Sequence, residues 1–251
     1  MVSCNSQKGY ELVWSDEFNV DGAPDLNKWS YDTKGNEWQW GNNELQHYTH
    51  GRTENAVVKD GHLHLIARVE EGYNQPYTSA RLITKDKGDW LYGRIEVKAK
   101  VTGGKGAWPA IWMLPTDWKY GGWPDSGEID IMEHVGYEPD SIFFTVHTQA
   151  YNHMHGTQKS AALYRPDAEN RFHVYSVEWT DKKCVFFMDD EKVFVFRKEE
   201  KANSAQWPFD QRFHLLLNLA VGGNWGGKHG VNDEIFPCEM LVDYVRVYQK
   251  K

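Results

Sequence analysis

Three acids, Glu128, Asp130 and Glu133, fall within the ten residues GEIDIMEHVG at positions 127–136. They are embedded among Ile129, Ile131, Met132 and Val135, a run whose apolar content is that of a buried strand. Carboxylates are rare in such a setting unless they are paired or at work. Side chains on a strand alternate with a period of two, so Glu128 and Asp130 share a face and Glu133 points away. One extra residue, absorbed as a β-bulge at Ile131 or Met132, returns Glu133 to the face of the other two. Two carboxyl groups on one face, with an acid between them, meet the needs of retaining glycoside hydrolysis. One attacks the anomeric carbon while the other, protonated, gives its proton to the departing oxygen. Four ladder positions span roughly 13 Å at ~3.3 Å each, so the two glutamates must converge over Asp130. Asp130 can hydrogen-bond the nucleophile, and its negative field raises the acid's pKa. Two other readings are an acid-rich edge strand and a calcium site built from carboxylates. The first leaves the apolar neighbours unexplained, and the second would usually offer an irregular, Gly- and Asn-rich loop.

The elements that must hold these acids are short and strand-like. Residues 94–101 alternate cleanly, with Ile95, Val97, Ala99 and Val101 on one face and Arg94, Glu96, Lys98 and Lys100 on the other. Further strands are predicted over 62–69, 79–84, 107–114, 142–148, 172–179, 213–221 and 240–248. A hairpin joins 184–188 to 192–197 through Asp189, Asp190 and Glu191. The last strand, LVDYVRVY, is expected to be central, because only Asp243 and Arg246 interrupt its apolar run. Many short strands with hardly any helical periodicity predict two packed antiparallel sheets.

The chain of 251 residues fits one domain over 10–251 behind a flexible leader over 1–9. Its 28 basic and 36 acidic residues give a dispersed −8, without the basic stripe that nucleic acid or another polyanion would require. The 12 Trp, 13 Tyr and 11 Phe exceed what a core alone needs, which implies a stacking surface for a ligand with apolar faces. No segment approaches the length of a membrane-spanning helix.

Beyond the acids, longer motifs carry a resemblance. EIDIME is similar to the bulged E-x-D-x-x-E signature of glycoside hydrolase family 16, in its laminarinase-like form. WSDEF, GNNELQHYT, YTSARLITK, GAWPAIWMLP, VHTQ, NLAVGGNWGG and DYVRVYQ resemble landmarks of the same family along nearly the whole chain. The resemblance implies a β-jelly roll with a substrate cleft on its concave sheet. It makes Glu128 the nucleophile, Asp130 the assisting acid and Glu133 the general acid/base of an endo-β-1,3(4)-glucanase. No catalytic cofactor is implied. Asn42 and Arg81 match positions that hydrogen-bond glucose hydroxyls, and Trp225 matches a cleft residue. Trp108 and Trp112, four apart on one strand, are spaced to stack on successive sugar rings, with core packing as the alternative. The resemblance sets His147 beside the acid/base. His147 could also join His153 and His155 at a metal, although no fixed zinc spacing is met. The resemblance further suggests a structural calcium ion on the convex side, through Glu17, Gly61 and Asp243. Loops at 119–126 and 151–159 are expected to shape the subsites flanking the cut.

Cys4, Cys184 and Cys238 form neither a disulfide framework nor a metal spacing. Cys184 is predicted to be a buried thiol. Cys4 precedes every fold signal and is either an ordinary tail residue or the acylated residue of a bacterial lipoprotein. The protein is expected to be a monomer acting outside the cell or at its surface. A non-catalytic glucan-binding jelly roll, a transglycosylase and a hydrolase of agar- or porphyran-type galactans are the competing readings. Intact acids oppose the first, and the lack of a basic cleft opposes the last.

Overall fold

The computed structural model describes residues 9–251; Cys4 and its proposed acylation lie outside them. The chain folds into two stacked sheets, one of ten strands and one of eight. Their inner faces enclose one continuous core running from Phe18 to Val247, with Trp29, Trp179, Tyr175, Phe144 and Phe186 fully buried. The sheet that carries the acids runs in the order Lys159–Tyr164, Ser141–His147, Glu128–Glu133, Ala107–Pro115, Phe213–Val221, Arg81–Ile83, Ser30–Tyr31.

Two strands hold to the residue, and the hairpin and the central last strand hold with ends one or two residues beyond those predicted. His62–Val69 and Phe213–Val221 are strands with the predicted bounds. Cys238–Lys250 is central, flanked by Gly93–Lys100 on one side and by His62–Val69 and Tyr10–Asp16 on the other. Lys183–Met188 and Glu191–Arg197 form the hairpin, turning through Asp189 and Asp190 at φ 49° and 66°, as a tight primed turn demands. Asp189 also accepts from the Val174 amide, which ties the turn to the next strand.

Two expectations need correction. The strand predicted over 79–84 is two strands, Tyr77–Ser79 and Arg81–Ile83, which belong to different sheets. The chain crosses between layers at buried Ala80, and the Ser79 hydroxyl donates to the Leu219 carbonyl at 2.6 Å as it leaves. Nor is the sandwich wholly antiparallel, because Gln46–Tyr48 runs parallel to Tyr77–Ser79. Local alternation carries no information on strand direction.

The expected calcium ligands lie on the other sheet and its margins, where they are already engaged. Both carboxylate oxygens of Glu17 accept from the Arg246 guanidinium, at 2.9 and 2.7 Å, and Asp243 is paired with Lys98. The fork of Arg246 holds the Glu17 carboxyl below its ordinary range. Gly61 turns the 56–69 hairpin at φ 77°. Side chains disposed in this way offer fixed cations where the ion was expected.

Candidate active site

The Glu128–Glu133 strand lies between Ala107–Pro115 and Ser141–His147. Against Ser141–His147, Asp130 faces Thr145 and Glu133 faces Phe143, so three steps on one strand match two on the other. Against Ala107–Pro115, Met132 faces Ile111 and Asp130 faces Trp112, which leaves Ile131 unpaired. This is the bulge that the spacing of the acids requires. Its consequence is visible in burial: Ile129, Ile131 and Met132 all enter the core, while Glu128, Asp130 and Glu133 line the groove on the opposite face.

The groove encloses about 1070 Å³ and crosses the sheet from the acids to Ser30 and Tyr31. The Trp count divides as expected. Trp29, Trp90, Trp179 and Trp207 are core, whereas Trp38, Trp40, Trp108, Trp112, Trp118 and Trp123 line the groove.

Each acid has a different environment. Glu128 Oε2 accepts from the Trp123 indole N–H at 2.7 Å. Glu133 Oε1 accepts from Trp108 Nε1 at 3.1 Å. Burial and the charge of Glu128 nevertheless push its pKa up to about 8, with Glu44 adding a smaller repulsion and Trp108 pulling the other way. Asp130 is 2% exposed, and burial followed by the charges of Glu128 and Glu133 raises its pKa well above the carboxylate range. Glu128, held in place by the Trp123 indole, therefore stands beside a carboxylic acid, Glu133, that keeps its proton at neutral pH. That is the division of labour that acid-assisted nucleophilic displacement needs.

The supporting residues are placed less uniformly. Asn42 lines the groove and donates to Glu44 Oε1 at 3.2 Å. Arg81 also lines it, but its guanidinium is stacked between Trp40 and Trp112, at 4.3 and 4.7 Å from their centroids, with Nε 3.2 Å from Asp32. Trp112 lines the groove as well, with Arg81 over one ring face and its N–H donating to Asn218 at 2.6 Å. Trp225 does not line the groove; it packs edge-on against Trp108 and Phe143 and props the indole that does.

His147 stands close to Asp130, but at the end of the motif away from Glu133. The register sets it opposite Glu128, with Nε2 3.5 Å from Asp130 and 3.9 Å from Glu128, while Phe143 is the residue opposite Glu133. The histidine thus belongs to the Glu128 end of the motif. Burial lowers its pKa, and the imidazole is neutral at neutral pH. His153 packs on Trp123 and joins Met154 in the groove wall, so both predicted loops contribute to the site.

Two contributors were not foreseen. Trp123 sits in a loop whose sequence shows no periodicity to aim it. Glu44 is buried, accepting from Asn42 and from Gln46 Nε2, while Gln46 Oε1 takes the Val221 amide. Burial raises the Glu44 pKa. The only signal was its place in GNNELQHYT.

Residues 35–246 match the family model described as glycosyl hydrolases family 16. The chain belongs to glycoside hydrolase family 16. Among members of family 16, it is 52% identical to the beta-glucanase of Rhodothermus marinus over 246 residues, covering 96% of this chain and 85% of that protein. The X-ray structure of the laminarinase from Rhodothermus marinus superposes with a TM-score of 0.93 at 51% identity, covering 96% of this chain and 98% of that one. A mutant of SCLam, a non-specific endo-β-1,3(4)-glucanase of family 16, has the same TM-score at 46% identity, over 97% of this chain and 96% of its own. That structure presents 1,3-β-D-cellobiosyl-glucose at its active site. The likeness extends through the jelly-roll fold, with its groove on the sheet that carries the acids.

Proposed function

We propose that this family 16 enzyme is an endo-acting, retaining β-glucanase that cuts β-1,3-glucan and mixed-linkage β-1,3-1,4-glucan. One observation carries the reading. The bulge brings three acids to the floor of an aromatic groove, one oriented by a hydrogen bond from Trp123 and another kept protonated by burial. Glu128 attacks the anomeric carbon and forms a covalent glycosyl intermediate as Glu133 protonates the leaving oxygen. Glu133 then takes a proton from the water that opens the intermediate. Asp130 sits between them, and its proton lets it donate to the nucleophile. The groove, open across the sheet and walled by indoles, suits a polymer bound along its length better than a chain end. Product analysis on laminarin, lichenan, curdlan and agarose tests the reading. Cleavage of agarose alone, or binding without cleavage, would overturn it.

The acid assignment predicts the alkaline limb. Glu133 works protonated, so kcat/KM falls as the pH rises through its pKa of about 8. Trp108→Phe keeps a ring but deletes the N–H that stabilises the Glu133 carboxylate. Its limb should move to higher pH in a pH–rate profile. An unmoved limb would assign that limb to another group.

We place the work of the enzyme outside the cytoplasm, since a glucan polymer does not cross a membrane, and we propose acylation of Cys4 as its tether. Fractionation of cells expressing the precursor checks this: the enzyme should follow the membrane and be released by Cys4→Ala. Soluble enzyme unaffected by the substitution would remove the anchor. A calcium ion at Glu17, Gly61 and Asp243 gains no support from side chains committed to Arg246 and Lys98, and forms no part of the proposal.

A further inference from the structure

The groove floor contains a second set of chemical possibilities. Glu128, Asp130 and His147 place one ligand atom each within 4.8 Å of one another. Acidic clusters are common, but this one includes an imidazole and is left unsatisfied. Asp130 is 2% exposed and its Oδ2 has no hydrogen-bond partner; His147 Nε2 stands 3.5 Å away, with the Glu128 carboxyl also in the cluster. His147 is itself 6% exposed, and its Nε2 faces the two carboxylates at distances too long for good hydrogen bonds. Zinc bonds of 2.0–2.2 Å in a tetrahedron set neighbouring ligand atoms about 3.3–3.6 Å apart. The separation of 3.5 Å falls in that range, and the 3.9 Å from His147 to Glu128 needs only a few tenths of closure.

We propose that Glu128, Asp130 and His147 form an inhibitory site for a borderline divalent cation, zinc being the type case. The donor set of one imidazole nitrogen and two carboxylate oxygens suits zinc, whereas calcium takes six to eight oxygens. The ion offsets the repulsion among acids crowded in a poorly solvated pocket, which favours binding. Its fourth position opens to the groove, where a water completes the tetrahedron. Occupancy removes the Glu128 carboxylate from attack and blocks the sugar's approach to it. Inhibition is therefore competitive with substrate.

Binding is measured apart from activity. Chelator-treated full chain is titrated with zinc chloride by calorimetry and followed by thermal unfolding, with calcium chloride as the parallel arm. The expected result is one saturable zinc site, a raised Tm with zinc and no response to calcium. His147→Ala and Asp130→Asn should each weaken zinc by more than the about 10–100-fold typical of losing an outer partner of a metal ligand. Binding that survives both substitutions, or is lost only on replacing His153 and His155, overturns the assignment. So does the lack of saturation below millimolar zinc. Because this readout needs no substrate, its failure leaves the glucanase reading untouched.

Discussion

Glu133→Ala is expected to lower kcat on laminarin by about 10²–10⁴-fold, the range a positioned proton donor supplies. Glu128→Ala should lose at least as much, because without that carboxylate no covalent intermediate forms. Both variants should still bind oligosaccharides, since the indoles and amides of the groove remain. The roles are separable with a substrate whose leaving group needs no protonation. Azide is small enough to occupy the space vacated by Glu133 and should restore turnover there, giving a β-glycosyl azide. In Glu128→Ala, azide attacks from the nucleophile's side and should give the α product. NMR of the products decides. An α azide from Glu133→Ala, or a β azide from Glu128→Ala, would mean that the two roles are exchanged.

Gly136→Ala is expected to be the most destabilising methyl addition near the site. Gly136 closes the acid-bearing motif, where its amide donates to the Ala107 carbonyl at 2.9 Å and its carbonyl accepts from the Gly104 amide at 3.1 Å. A Cβ there would overlap the Gly104 carbonyl oxygen, with the Gly104 nitrogen and carbonyl carbon at 2.7 and 2.8 Å. All three are backbone atoms, so no rotamer can relieve the clash and the two segments must part. Overpacking of this kind costs about 1–3 kcal/mol, and a backbone obstacle puts it near 3. At about 2–4 °C per kcal/mol for a chain of this size class, Tm should fall by about 6–12 °C in a thermal melt. Gly156→Ala is a useful contrast, because no atom lies within 4 Å of its added Cβ, although φ of 63° imposes strain of its own. A Tm for Gly136→Ala no lower than that of Gly156→Ala would show that the close approach is not what Gly136 provides.

Much of the site was legible in one dimension because strand geometry is local. A period of two, three acids and intervening isoleucines are enough to demand a bulge between Asp130 and Glu133, and the register shows one there. Short apolar runs between turn residues likewise marked the bounds of His62–Val69 and Phe213–Val221 and the turn that contains Asp189 and Asp190. The excess of tryptophan implied a stacking surface before any position was known. Family motifs then linked the acids to glucan chemistry, which periodicity alone could not do.

What the tertiary structure decided depends on neighbours remote in sequence. Residues 79–84 alternate like one strand, yet the chain changes sheets at Ala80, because the partners of its two halves come from separate layers. Trp112 and Arg81 both line the groove, and their stacking on each other arises only because the Arg81–Ile83 and Ala107–Pro115 strands flank Phe213–Val221. Register across Glu128–Glu133 and Ser141–His147 moved His147 to the nucleophile's side. Arg246 and Lys98 claimed the carboxylates assigned to calcium. Most of all, the sequence names three carboxyl groups of similar intrinsic acidity. That Asp130 and Glu133 hold their protons so far above the carboxylate range is set by depth of burial and by the charges and donors brought within reach, Glu128 for both, with Trp108 and Glu44 at Glu133. Spacing along a strand is fixed by covalent geometry, whereas the dielectric and the field at a carboxyl group belong to the assembled fold.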